Sequence, residues 1–495
     1  MNYVSTRDTS EVPRSIPSAE AIKNGIAPDG GLYMPEYIPT LTEEDIERLC
    51  ALDYPGRAAM ILSMFLDDYD RAALEADCRA AYAEERFPGG AAPLVSLGGD
   101  VYSLELWHGP TCAFKDMALQ IMPRLLSRAL AMTGERKLAH ILVATSGDTG
   151  KAALEGYRDV PGVKITVFYP EDGVSPMQKR QMITQEGGNV AVCAVRGNFD
   201  DAQTGVKRIF GDAALAERAE SEGFFFSSAN SINWGRLVPQ IVYYVSAYCD
   251  LLNENEIFPG DVVNVCVPTG NFGNIFAAYV AREMGVPIGK LICASNSNCV
   301  LTDFIASGEY DRNREFDKTM SPSMDILISS NLERLLFLIG GAQFAASMMG
   351  QLAESGSYKV PYAALEKIHE DFAGYFCSET ETAETIKTTF DELGYLVDPH
   401  TAVGLFCANK YIEESGDTRK VILASTASAF KFPGDVCRSL EVEVEGDDPA
   451  TLIAALEEAT NEEAPANLTR TLSLPVRFEG SVDKEDMAKF VFGDL

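Results

Sequence analysis

Three short apolar runs, each ending in a knot of small residues, constrain this chain more than any other feature. The run AHILVA at 139–144 leads into a turn at Ser146 to Gly150. DVVNVCV at 261–267 leads into a turn at Gly270 to Gly273, and RKVILA at 419–424 into one at Ser425 to Ser428. Runs this short and rich in β-branched residues suit strands rather than helices. Two more lie between them, VKITVFY at 163–169 and NVAVCAV at 189–195, with helical spacing at 177–185 and 275–284. Repeated strand–turn–helix units predict an α/β fold of parallel sheets covered by helices. Ligands of such sheets gather beyond the carboxyl ends of the strands, so the three turns are the places to look.

At 495 residues the chain is too long for one core, and two or three domains are expected. The first ninety or so residues read as helical, with apolar spacing at 43–50 and 58–65 and with Ile46, Leu49 and Cys50 on one face. Glycine and proline cluster at 87–100, which marks a boundary. The most apolar stretch, 335–350, is shorter than a membrane span and is interrupted by Gln343 and Ser347, so it predicts a buried helix. The N-terminus shows no basic or apolar leader pattern, and a cytoplasmic protein is expected.

Charge narrows the function. Lys and Arg number 41 against 73 Asp and Glu, a net of −32. Such a surface repels phosphate backbones and anionic lipid, so neither nucleic acid nor membrane is an expected partner. An anionic substrate would need a local positive pocket built against the mean field. The 11 cysteines contain no C-x-x-C and read as reduced thiols. The 4 histidines are scattered without zinc-ligand spacing, so no metal site is expected.

Five segments carry candidate chemistry. Lys115 lies in WHGPTCAFKDMALQ among small and apolar residues. Burial would disfavour its charged form and leave a nucleophilic amine able to condense with an aldehyde; a helix lysine snorkelling to water is the competing reading. Downstream, 118–130 fits a helix, with Pro123 forcing a kink or a later start. PTGNFGN at 268–274 joins a strand to a helix, and its amides could cradle an anion. It lacks the G-x-G-x-x-G pattern and any lysine, which suits a phosphate fixed on a resident cofactor; a plain turn is the alternative. TSGDTGK at 145–151 ends like a P-loop, but its glycines are too close and Ala152 stands where a magnesium ligand is needed. It remains a hydroxyl-rich helix start suited to a carboxylate, or an ordinary cap. In SSANSINWGR at 227–236, Asn230, Ser231 and Arg236 set amide and hydroxyl donors beside a guanidinium that could hold phosphate, or merely cap a helix. In STASAFKF at 425–432, Thr426 puts a small hydroxyl at a strand end, or in an ordinary Ser/Thr turn.

Taken together and in order, these segments resemble the fold type II pyridoxal-phosphate enzymes, and within them the longer threonine synthases. NYVSTRD at 2–8, IAPDGGLYMPE at 26–36 and DPHTAVG at 398–404 are similar to stretches of that family. The resemblance implies two open twisted α/β domains plus an N-terminal, mainly helical segment. It divides the chain into an N-terminal domain at 1–95, a larger cofactor-binding domain at 96–135 and 256–495, and a smaller mobile one at 136–255. Pyridoxal 5′-phosphate is the implied cofactor. Lys115 would form a Schiff base with it and shuttle protons. Gly270, Asn271, Phe272, Gly273 and Asn274 would hold its phosphate, Thr426 would face its ring nitrogen, and Asp148 would lie near its 3-hydroxyl. Thr145, Ser146 and Thr149 would bind the substrate carboxylate, and Asn230, Ser231 and Arg236 its phosphate. Asp148 stands where many fold type II relatives have Asn. Ser428 and Ala429 stand where many threonine synthases have His and Pro.

The implied reaction turns O-phospho-L-homoserine and water into L-threonine and phosphate, in a monomer or small homo-oligomer. The rival is another lyase of the same fold type, releasing a keto acid and ammonia from serine, threonine or phosphohomoserine. A catalytically silent anion-binding protein is a rival of a different class.

Overall fold

The apolar runs become the interior strands of two sheets. The computed structural model describes residues 1–145, 147–171 and 174–494, with Asp200 described by its backbone alone. The larger sheet has six strands in the order Phe372–Phe376, Ile288–Ser295, Val263–Pro268, Val421–Ser425, Val101–Glu105 and Leu94–Ser96. All neighbours run parallel except the last pair. The smaller sheet is parallel throughout, in the order Ser481–Val482, Val190–Val195, Val163–Pro170, Leu138–Ala144 and Phe224–Ser227. Val263, Val265, Cys266 and Val267 are fully buried, as expected where helices cover both faces of a sheet.

Strand order explains where the site lies. Val263–Pro268 pairs on one side with the next strand in sequence, Ile288–Ser295, and on the other with the distant Val421–Ser425. That reversal opens a crevice at the strands' carboxyl ends, and the Gly270 and Thr426 turns both border it.

Local rules hold elsewhere. The segment expected to be one helix at 118–130 divides into Lys115–Leu119 and Met122–Met132, with Pro123 in the first turn of the second. The N-terminal segment carries the expected helices, among them Glu43–Cys50 and Tyr54–Phe65, and also a small antiparallel sheet of Asn2–Ser5, Ile16–Pro17 and Tyr33–Pro35. It docks through Trp234, whose ring lies 5.7 Å from those of both Tyr3 and Phe65. All 11 cysteines are free thiols.

Three expectations need correction. The helix Trp234–Asn253, assigned to the smaller domain, is buried almost all round and packs against Tyr54–Phe65 and Gly273–Glu283. The segment 256–495 does not stay with the larger sheet, because Ser481–Val482 pairs with Val190–Val195 of the smaller one. The apolar stretch at 335–350 lies in a helix of 24 residues, Leu332–Ser355, long and apolar enough to span a membrane. It is only partly buried and breaks at Gly341, whose φ of 77° is left-handed. Its first turn is pinned in the protein instead: Arg7 donates to both carboxylate oxygens of Glu333 at 2.8 and 2.7 Å.

Candidate active site

Lys115 opens the helix Lys115–Leu119 and is 8% exposed. The loop before it is cross-tied. Asp116 accepts from the Thr111 amide and hydroxyl at 2.7 and 2.8 Å, and Phe114 donates its amide to the Thr426 carbonyl at 2.8 Å. Cys112 takes a left-handed φ of 56° within it. Phe272, in the glycine turn, has φ 61°. Non-glycine residues held in this region carry strain, which tends to gather at functional sites.

The Lys115 amine lies 3.0 Å from Ser323 Oγ and 3.4 Å from Asp148 Oδ2. Burial pushes its proton affinity down, and Asp148 opposes that push only in part. Asp148 opens the helix Asp148–Tyr157. Burial alone would raise it, but Lys431, Lys115 and His400 outweigh burial and keep it ionised. Burial lifts Asp116 to about 6, with the Thr111 hydrogen bonds pulling the other way.

The glycine turn is an anion cradle. Among the described residues, no amide from Gly270 to Asn274 donates to a protein acceptor. The turn caps the helix Gly273–Glu283, whose dipole adds positive potential there. Both Tyr243 and Tyr244 donate their hydroxyls to Asn274 Oδ1, leaving Asn274 Nδ2 buried without a partner. A Cβ on Gly270 would meet the Ser323 carbonyl at 2.7 Å, so the close approach admits only glycine. Asn331 holds the turn in place, donating its amide and its Nδ2 to the Asn271 carbonyl at 3.1 and 2.9 Å.

Arg236 is 3% exposed, gives one nitrogen to the Ala229 carbonyl, and keeps Nε buried and unpartnered. Burial lowers it to about 10. Ser231 Oγ accepts from Asn331 Nδ2 at 3.1 Å, which sets it beside the glycine turn. Asn230 is half-buried two residues beyond Ser228, whose hydroxyl accepts its amide. Thr426 is buried, with its amide donating to Thr401 Oγ1.

In the hydroxyl turn Thr145 Oγ1 accepts from the amides of Gly147 and Gly150, both at 2.9 Å, which occupies its lone pairs and leaves its proton to donate. Thr149 is half-buried at the helix start, and Ser146 lies outside the described residues.

Sequence reasoning passed over Lys431, Ser323, His400 and Asn331. Lys431 carried a usable signal, since it sits in apolar AFKFP much as Lys115 sits in its own segment. The others reach the site by contacts across long separations, such as Ser323 to Asp148 over 175 residues.

A shielded amine at one end of the crevice and a cradle with unspent donors at the other match the two ends of pyridoxal 5′-phosphate, its aldehyde and its phosphate. The fold and this pairing define a pyridoxal-phosphate-dependent enzyme of fold type II, and the family described as "Pyridoxal-phosphate dependent enzyme" matches residues 88–426. The family described as "Threonine synthase N terminus" matches residues 2–82. The human "Threonine synthase-like 1" is 42% identical over 436 residues, covering 86% of this chain and 58% of that protein. The chain thus spans under two thirds of that relative's length. The threonine synthase of Pseudomonas aeruginosa is 39% identical, covering 88% and 89% of the two chains. Among solved structures, pyridoxal-phosphate-bound threonine synthase from Brucella melitensis is 37% identical with TM-score 0.87, covering 99% and 98%. Yeast threonine synthase is 33% identical with TM-score 0.88, covering 100% and 97%. The chain belongs to the threonine synthase family.

Proposed function

We propose that this chain converts O-phospho-L-homoserine and water into L-threonine and phosphate. The observation that carries the reading is a second anion seat. Arg236 offers an unpartnered, buried guanidinium nitrogen apart from the glycine turn, and its charge reaches Lys115. One seat suits a resident cofactor's phosphate, the other a substrate's. The relatives named threonine synthase support the same reading.

Bound pyridoxal 5′-phosphate supplies an aldehyde for amines and a conjugated ring that accepts electrons when a carbon loses its proton. The glycine turn and Asn274 Nδ2 would fix the cofactor's phosphate, Thr426 would lie by its ring nitrogen, and Asp148 would accept from its 3-hydroxyl. Lys115 Nζ would serve as the general base for the substrate's α-proton. Its depressed proton affinity suits that task at neutral pH. Lys115 Nζ would next take a β-proton as Arg236 steadies the phosphate departing from the γ-carbon. The same amine would return protons to the γ-carbon and the α-carbon and take one from the water that adds to the β-carbon, the surplus proton leaving with the phosphate. Thr149, with Thr145 and Ser146 of the same turn, would orient the substrate carboxylate. Asn230 and Ser231 would lie beside the leaving phosphate.

The test is a product assay on purified protein with cofactor and O-phospho-L-homoserine. Threonine and phosphate are expected in equal amounts. Keto acid and ammonia would favour the other lyase reading, and no phosphate release would overturn the proposal and leave only a lyase of serine or threonine.

A further inference from the structure

The reaction as read above uses one buried lysine, yet the site holds two. Lys431 is 0% exposed, at the end of the turn Ala429–Lys431. Its Nζ lies 3.0 Å from Asp148 Oδ1 and donates to the Thr111 carbonyl at 2.7 Å. The two oxygens of Asp148 have different partners. Oδ1 meets Lys431 and Gln178 Nε2, both at 3.0 Å. Oδ2 meets the Ser323 hydroxyl at 3.0 Å and the Lys115 amine at the looser 3.4 Å. Ser323 is set by its own amide, which donates to His400 Nε2 at 3.1 Å, while His400 Nδ1 faces Asp398 at 2.6 Å.

A buried carboxylate stays charged only while a cation stays with it. Lys115 cannot be that cation throughout, because it must bond to an aldehyde, let go and carry protons. We propose that Lys431 is a positioning residue of this site: the resident counter-ion that keeps Asp148 charged and in place while Lys115 comes and goes. This rests on the roles read above for Lys115 and Asp148. Through Thr111, Lys431 also ties the loop that carries Lys115 to the turn that carries Thr426. Its charge, with that of Arg236, helps hold down the proton affinity of Lys115.

Among the described residues, the following charged groups face the trio. Lys115 faces Asp148, Lys431 and Arg236; Asp148 faces both lysines and His400. Lys431 faces Asp148, Asp116, Cys112 and Lys151.

The experiment titrates the visible band of the cofactor-loaded protein against pH, in wild type, Lys431→Met, Lys431→Arg, Asp148→Asn and the Asp148→Asn/Lys431→Met double variant. Without Lys431, Asp148 takes up a proton and the negative charge beside the amine is lost, so the band's midpoint should fall by about one pH unit in Lys431→Met. Lys431→Arg should restore it to within a few tenths. In the Asp148→Asn background no carboxylate is left to hold, so the same change only removes a cation near the amine and the midpoint should rise instead. An unmoved midpoint in Lys431→Met, no rescue by Arg, or an equal shift in both backgrounds would overturn the proposal. If Lys431→Met alone does not fold, Lys431→Gln, which keeps a donor for the Thr111 carbonyl without the charge, takes its place in both backgrounds. Lys115→Ala separates this proposal from the reading beneath it. A visible band that survives Lys115→Ala sinks that reading; a band lost there but unmoved in Lys431→Met sinks only the role of Lys431.

Discussion

The glycine turn of the larger sheet and the hydroxyl turn of the smaller one face the same task in a chain of net charge −32: each must welcome an anion. They spend their donors differently. The glycine turn leaves the amides of Gly270 to Asn274 without protein acceptors among the described residues and strains Phe272 to do so. The hydroxyl turn uses Thr145 Oγ1 to satisfy the amides of Gly147 and Gly150. A seat with unspent donors suits a ligand that is always present, because the folded protein then never bears the full cost of leaving them empty. A turn that satisfies part of its own donors suits a ligand that comes and goes.

Four experiments break or sharpen that contrast. The largest effect is expected on the dry side, in the loop of Lys115. Asp116 lies buried with its proton affinity raised to about 6, so the folded state binds a proton more tightly than the unfolded one. Its contribution to stability should therefore be full below the ordinary carboxyl range and be lost as pH rises through 4 to about 6, by about 3 kcal/mol. The difference in denaturant melts between wild type and Asp116→Asn should show this slope. Next, Arg236→Met should cut kcat/KM for the phosphorylated substrate by about 10²-fold, the scale of one lost charge-assisted contact. Cofactor affinity, measured by the visible band, should hold; a large fall there would place Arg236 on the cofactor instead. Gly270→Ala should weaken cofactor binding about tenfold, since the new Cβ meets the Ser323 carbonyl and the backbone must shift. The smallest effect belongs to the hydroxyl turn. Thr145→Val should cost about 1 kcal/mol of stability by orphaning the two amides, with cofactor affinity unchanged. A loss of cofactor affinity there would erase the distinction between the turns.

What the sequence disclosed follows the range of the forces involved. Strands such as Val163–Pro170 and Val190–Val195 were legible because their burial is written in consecutive apolar residues. The Pro123 break was legible because the ring's clash with a helix is local. Lys115 stood out for its apolar neighbours, and Lys431 offered the same signal unread. Ser323 and Asn331 were not legible, since nothing near them in sequence indicates a partner 175 or 100 residues away. The third strand of the N-terminal sheet, Tyr33–Pro35, and the turn at Gly341 were missed for a related reason. Short strands earn their stability from pairing, and a glycine within an apolar run reads equally as helix.

The strand Ser481–Val482 gives the smaller sheet a further rope to the rest of the molecule. The chain enters that sheet before Leu138 and leaves it after Ser227, then returns hundreds of residues later to lie along Val190–Val195. A slab moored at both flanks can rock about its moorings but cannot slide away from them. Were this sheet to close over a substrate, it would tilt about those moorings, and the segment leading into Ser481 turns at Gly480 with a left-handed φ of 108°.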